Sequence, residues 1–210
     1  MKISGCVFDF GGVMTTTTMP ERVRPLAEKL GVAWSTLEDG FARYRRLMDG
    51  GFISLDEMYD NIWADAGLSP GRSVRERILE EDQASYLYRN EATLRLMRAL
   101  KGAGLKIGIL TNMPGSFAAK FRAKFPDFIA LADAMVISGD ERMFKPQRRI
   151  YDLLRGRISL PAGELCFFDD TAANCGGARA AGWNAILFRD AEQAAREFSA
   201  LSGIALPALG

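Results

Sequence analysis

From Glu91 onward, short apolar runs alternate with stretches of helical periodicity, and this constrains the fold more than any other feature of the chain. Helical spacing over residues 92–101 closes at Gly102 or Gly104, and an extended run follows at 105–110. The pattern predicts further helices over 116–125, 148–155, 172–181 and 191–200, with strands at 134–138, 165–168 and 185–188 between them. Strands buried on both faces read as continuous apolar runs, and strand–helix alternation implies a mostly parallel sheet covered by helices on both sides. The run opening Cys6-Val7-Phe8-Asp9-Phe10-Gly11-Gly12-Val13 has the same character and is expected to join that sheet. The expected class is therefore α/β, with a Rossmann-like core.

Residues 16–89 read as all helix. Ser35 with Glu38, Ser54 with Glu57, and Ser73 with Glu76 are spaced as capping boxes. Apolar stripes run through Val23, Leu26, Ala27 and Leu30, then Leu37, Phe41, Tyr44, Leu47 and Met48, then Leu55, Met58, Ile62 and Trp63. Their aromatic members either pack a small bundle or line a pocket, with Phe41, Tyr44, Arg45, Met48, Tyr59 and Trp63 the residues whose facing matters. The expected organisation is a core of 1–15 and 90–210 with a helical cap of 16–89 inserted after the first strand, and Thr15–Thr18 as a polar hinge.

Composition narrows the chemistry. A formal net charge of +1 over 210 residues points to no nucleic-acid partner, and Arg72, Arg75 and Arg77 read as the solvated face of a helix. The amino-terminal segment has the pattern of neither a signal peptide nor a membrane span, so a cytoplasmic location is expected. Three cysteines, Cys6, Cys166 and Cys175, leave one unpaired in any disulfide scheme and read as buried thiols. There is no histidine, which removes every mechanism needing an imidazole base or ligand. Carboxylates, lysine, hydroxyls and a hard cation remain.

Four polar groups fall at the ends of the predicted strands or in the loops after them. Asp9 ends the first, Thr111-Asn112 the second, Asp169-Asp170 the fourth, and Lys145 precedes a helix in Phe144-Lys145-Pro146. Parallel strands bring their carboxyl ends to one edge of a sheet, so these groups converge there. The chemistry that fits them is phosphoryl transfer to a carboxylate. A phosphate brings charge that must be neutralised beside an anionic nucleophile, and magnesium, Lys145, the Thr111 hydroxyl and backbone N–H groups would do so.

At these residues the chain resembles the haloacid-dehalogenase-like hydrolases. Phe8-Asp9-Phe10-Gly11-Gly12-Val13 is similar to their first motif, Ile109-Leu110-Thr111-Asn112 to the second, and Lys145-Pro146 with Ile150-Tyr151 to the third. Phe167-Phe168-Asp169-Asp170-Thr171-Ala172-Ala173-Asn174, with Gly177-Ala178 and Gly182, is similar to the fourth. The resemblance implies a mobile cap closing over the substrate and a Mg-dependent phosphatase acting on a small phosphorylated metabolite, with Asp9 as nucleophile and an aspartyl-phosphate intermediate. It implies catalytic roles for Asp9, Thr111 and Lys145, and phosphate binding by Gly12, Thr111, Asn112 and Lys145. It places Mg2+ on Asp9, the Gly11 carbonyl and Asp170, with Asp169 on the metal or just behind it and Asn174 in support.

The chain departs from the family pattern at Gly11, where most family phosphatases carry a second aspartate that protonates the leaving oxygen. Gly11 either permits a special backbone conformation or marks an absent acid, in which case Thr15 or Thr16 would position a proton-carrying water. A catalytically silent protein binding a phosphorylated ligand or a protein partner is the competing expectation. Haloacid dehalogenation fits less well, since those enzymes place a tyrosine where Gly11 stands and need no magnesium. A phosphonate hydrolase would need a cap lysine for a Schiff base, and residues 16–89 contain only Lys29. The apolar segment 204–209 is expected to dock on the chain's own core, with monomer and homodimer both open.

Overall fold

A computed structural model describes residues 2–16 and 19–209. Thr17 and Thr18, half of the expected polar hinge, lie outside the described residues. Strand β1 (Gly5–Phe8) leads into helices α1 (Met19–Lys29), α2 (Trp34–Asp49), α3 (Leu55–Asp65) and α4 (Arg72–Ser85). The alternating part comprises α5 (Glu91–Gly102), β2 (Lys106–Thr111), α6 (Ala118–Lys124), α7 (Pro126–Leu131), β3 (Ala134–Ile137), α8 (Ser138–Glu141), α9 (Arg148–Ile158), β4 (Leu165–Asp169), α10 (Ala172–Ala180), β5 (Asn184–Leu187) and α11 (Ala191–Ser202). Short α7 and α8 were not expected from the periodicity. Neither is long enough for an apolar repeat to show.

All strand pairs are parallel, in the order β3-β2-β1-β4-β5. The chain builds outward from β1 to β3, then returns to the other side of β1, so the order reverses between β1 and β4. A crevice opens at the carboxyl ends of strands at such a point. Successive side chains on a strand face opposite ways, and the two core clusters follow that parity. Phe8, Ile107, Ile109, Cys166 and Phe168 pack on one face with α5, α6, α7 and α11. Val7, Leu110, Val136, Leu165 and Phe167 pack on the other with α9 and α10. Phe8 and Phe168 stack at 4.7 Å across β1 and β4. All three cysteines are free and buried. The segment 204–209 lies against the first cluster through Ile204, Leu206 and Leu209.

Helices α1–α4 have their own core of Val23, Leu37, Met58, Tyr59, Ile62 and Trp63. The two ends of this helical segment are joined by an antiparallel bridge between Thr15 and Arg89, in which the Asn90 N–H donates to the Met14 carbonyl at 2.9 Å and the Thr16 N–H to the Tyr88 carbonyl at 2.8 Å. Of the three expected capping boxes, only Ser54 with Glu57 forms. Helices α2 and α4 begin earlier than the serines suggest, at Trp34 and Arg72, which puts Ser35 and Ser73 inside the first turn; Glu76 instead pairs with Arg72 at 2.7 Å. Among the described residues no helix is long and apolar enough to cross a membrane.

Because Phe168 is fully buried and stacked on its neighbour strand, Phe168→Ala is expected to lower unfolding free energy by about 3–5 kcal/mol, read from urea denaturation.

Candidate active site

The register of β1 against β4 makes the site. Phe8 pairs with Phe168, so Asp9 and Asp169 leave adjacent strands side by side and on the same face. Two carboxylates so close repel, and the fold answers with Lys145. Its Nζ lies 2.7 Å from Asp9 Oδ1 and 2.7 Å from Asp169 Oδ2, and donates to the Leu110 carbonyl at 3.1 Å. Burial alone would strip its charge, but the two carboxylates outweigh that and hold its pKa above the ordinary lysine value.

Asn112 fixes the lysine's backbone. Its Oδ1 accepts from the Lys145 N–H at 2.8 Å and its Nδ2 donates to the Lys145 carbonyl at 3.1 Å. The Asn112 side chain is thus engaged in positioning Lys145, which leaves its backbone for any phosphate contact. Asp169 is saturated with donors: besides Lys145, Asn174 Nδ2 reaches both its oxygens at 3.0 and 3.1 Å, and the Thr171 N–H donates to Oδ1 at 2.8 Å. Asp170 is exposed and accepts from the Thr171 hydroxyl at 3.2 Å.

Asp9, Asp169 and Asp170 each offer a carboxylate oxygen, all within 4.8 Å of one another. Three carboxylates against one ammonium leave an excess of negative charge. Burial pushes the Asp9 carboxyl above its ordinary range, with Lys145 opposing and Asp169 adding to the rise. A cation among the three would relieve this, so the donor set, hard oxygens only, suits a hard divalent ion. Gly12 is shaped for that arrangement: its φ is +72°, and a Cβ there would overlap the Asp170 carboxylate.

Among the described residues the hydrogen bonds to the Asp9 carboxylate meet Oδ1, from Lys145 and from the Phe10 N–H at 2.6 Å, and none meets Oδ2. The Thr111 hydroxyl, at the carboxyl end of β2, is buried without a hydrogen-bond partner among the described residues. Such a group is costly unless a ligand satisfies it. Asp9, Gly11, Gly12, Asn112, Asp170 and Asn174 line one cavity of about 400 Å³. Gly11, Arg45, Tyr86 and Asn112 also line an adjoining cavity of about 150 Å³, whose other walls include Phe10, Met48, Leu55, Met113 and Phe117.

Gly11 is not there for its backbone. It is absent from the residues at positive φ, and a Cβ would sit at ordinary contact distance, 3.6 Å, from the Tyr86 ring. Thr15 is buried, and its hydroxyl accepts from the Gly12 N–H at 3.0 Å. Of the helical residues whose facing was in question, Phe41, Arg45 and Met48 reach the cavities. Tyr59 and Trp63 pack the helical core, and Tyr44 donates to Asp65 at 2.7 Å on the surface.

Sequence reasoning missed a second charged cluster, brought by the helical segment. Arg45 Nη2 donates to the Tyr86 hydroxyl at 2.7 Å, and the guanidinium lies 3.4 Å from Asp49 and 3.8 Å from Asp82. Asp82 accepts from the Tyr59 hydroxyl at 2.9 Å, whereas Asp49 Oδ1 is buried with no hydrogen bond. Burial, with Asp82 adding and Arg45 and Lys145 opposing, pushes the Asp49 carboxyl up to about 6. No sequence signal marked it: Asp49 precedes two glycines and reads as the end of a helix.

Compared with known proteins, residues 3–182 match the family model of the haloacid dehalogenase-like hydrolases. A sesquiterpene phosphatase of Aspergillus oryzae is 26% identical over 94% of this chain and 95% of its own length. An (S)-2-haloacid dehalogenase of Burkholderia cepacia is 25% identical over 88% of this chain and 82% of its own. Among solved structures, a Bacteroides thetaiotaomicron enzyme of the same family, in complex with magnesium and inorganic phosphate, superposes with a TM-score of 0.67 at 19% identity, covering 90% of this chain and 95% of the other.

Asp49 supplies a test of the electrostatics. Its folded pKa lies above the unfolded value of 3.8, so between about pH 4 and 6 the folded state keeps a proton the unfolded state has released, and stability falls as pH rises through that window. Asp49→Asn removes this term, so the variant's stability relative to wild type is expected to be about 2–3 kcal/mol more favourable at pH 7.5 than at pH 4, measured by denaturant titration.

Proposed function

The chain belongs to the haloacid dehalogenase-like hydrolase family, and we propose that within it this protein is a magnesium-dependent phosphatase acting on a small phosphorylated metabolite. The observation that carries this reading is the trio of Asp9, Asp169 and Asp170 about one buried ammonium. Displacing a halide from carbon needs no divalent cation, whereas a phosphoryl group arriving beside three carboxylates does. Phosphatases and haloacid dehalogenases stand among the relatives at like identity, and the magnesium–phosphate complex of the structural neighbour supports the phosphatase choice.

Asp9, the Gly11 carbonyl and Asp170 would hold the metal, with Asp169, tied down by Lys145, Thr171 and Asn174, behind them. When bound, magnesium neutralises phosphoryl charge next to the anionic nucleophile. Lys145 and the Phe10 N–H fix the Asp9 carboxylate through Oδ1, so Oδ2 is the attacking oxygen. The Thr111 hydroxyl donates to a phosphoryl oxygen and loses its burial penalty only when substrate is present. The phosphoryl group passes to Asp9, and water then hydrolyses the aspartyl-phosphate. Helices α1–α4 act as a cap, and the adjoining apolar cavity receives the organic part of the ester.

Steady phosphate release from a panel of monoesters with magnesium is the expected result, with Asp9→Asn lowering it about 10⁴-fold or more. Chloride release from 2-haloacids in its place, or full activity in Asp9→Asn, would contradict the reading. Magnesium at ten times its Kd is expected to stabilise the fold by about 1.4 kcal/mol, raising Tm by about 3–6 °C, and Asp170→Asn is expected to lose most of that rise.

A further inference from the structure

A departing alkoxide needs a proton, and where the family resemblance places an aspartate for that purpose this chain has Gly11. In an in-line displacement the leaving oxygen lies on the far side of phosphorus from the attacking oxygen. With no acid at Gly11, its donor must reach the side of phosphorus away from Asp9, which the helical segment helps to wall. The titratable groups of that segment lining the Asp9 cavity are Arg45, Asp49 and Tyr86, while Asp56 and Asp82 line the adjoining one. Arginine keeps its protons at any working pH. Burial pushes the Tyr86 phenol up to about 12, and its hydroxyl is already engaged by Arg45 at 2.7 Å.

Asp49 remains. It is nine-tenths buried and lines the same cavity as Asp9, and its Oδ1 is held only by the ion pair with Arg45 Nε at 3.4 Å among the described residues. Burial favours a neutral carboxyl and Asp82 adds to it, while the opposition of Arg45 is shared between Asp49 and Asp82 and that of Lys145 between Asp9 and Asp169. Its place in the last turn of α2 adds the negative end of the helix dipole. The backbone there is seated on the sheet domain. Ser138 donates its hydroxyl to the Asp49 carbonyl, and Gly51, at φ +70°, comes so close to the Gly139 carbonyl that a Cβ would lie 2.5 Å from that oxygen.

We propose that Asp49 is the general acid of this site, protonating the ester oxygen as it leaves; this rests on the phosphatase reading above. As the Asp9 Oδ2–phosphorus bond forms and the ester P–O bond breaks, the Asp49 proton passes to the ester oxygen and the alcohol departs. The Asp49 carboxylate then takes a proton from the water whose oxygen attacks phosphorus, the Asp9–phosphorus bond breaks, and phosphate is released. Protons balance over the cycle with no further reactant. The carboxyl's pKa of about 6 leaves both forms accessible near neutrality.

The test is the dependence of kcat/KM on leaving group, since that ratio reports the steps through departure of the alcohol. With magnesium present, Asp49→Asn is expected to lose about 10²–10⁴-fold on alkyl phosphates and only about threefold on p-nitrophenyl phosphate, whose phenolate leaves unaided. Asp49→Glu keeps a carboxyl and is expected to keep the wild-type dependence, and calorimetric binding of inorganic phosphate to Asp49→Asn is expected to match wild type. Asp82→Asn disturbs the same arginine from the adjoining cavity and is expected to keep the wild-type dependence on leaving-group acidity, whatever it does to the affinity for the organic part. An equal loss on every ester in Asp49→Asn, loss of phosphate binding, an Asp49→Glu variant that behaves like Asp49→Asn, or an Asp82→Asn variant with the leaving-group dependence of Asp49→Asn would overturn Asp49 as the acid. A wild-type protein inert even toward the nitrophenyl ester would overturn the phosphatase reading itself, and the proposal with it.

Discussion

The Lys145 ammonium between Asp9 and Asp169 is the interaction on which the site depends. Parallel pairing of β1 with β4 forces two carboxylates together at the switch point, and only a buried cation makes that register tolerable. A buried charge is itself costly, so the lysine is held at every polar atom near it: Nζ by two carboxylates and the Leu110 carbonyl, backbone N–H and carbonyl by Asn112. The polar residues at the ends of β1, β2 and β4 thereby become one network. Removing the ammonium would leave two buried acids without a cation, so the same contact that stabilises the edge also fixes the orientation of Asp9, the proposed nucleophile.

The remaining charge imbalance is where ligand chemistry enters. One ammonium cannot neutralise three carboxylates, and the Thr111 hydroxyl waits without a partner. Both deficits are met by a divalent cation together with a phosphoryl group. On the opposite wall the helical segment sets a second imbalance, one arginine among two acids, close enough to the first for Asp49 to feel Lys145. The seating of Gly51 against Gly139 keeps the two clusters in register.

The gathering of polar residues at one sheet edge was legible because strand–helix alternation alone brings the carboxyl ends of β1, β2 and β4 together, and Asp9, Thr111, Lys145 and Asp169-Asp170 stand at those ends or in the loop before α9. The function of Asn112 was not, because its bonds to the Lys145 backbone depend on how the loop before α9 folds back. The serines at 35 and 73 satisfied a spacing rule that ignores where a helix actually begins. Arg45, Asp49, Asp82 and Tyr86 were illegible for a deeper reason: periodicity shows that a helix has an apolar face, but which polar residues reach the site is fixed by docking. That docking rests on a close glycine approach, and Gly50-Gly51 reads in sequence only as a helix stop.

The central claim is that Asp9 is covalently phosphorylated during turnover. Acid quench of a single turnover with isotopically labelled monoester and magnesium, followed by peptide mapping, tests it most directly. The account predicts label on the peptide containing Asp9, formed and lost at rates compatible with turnover. Phosphate released without any labelled protein, or label on a different residue, would contradict it.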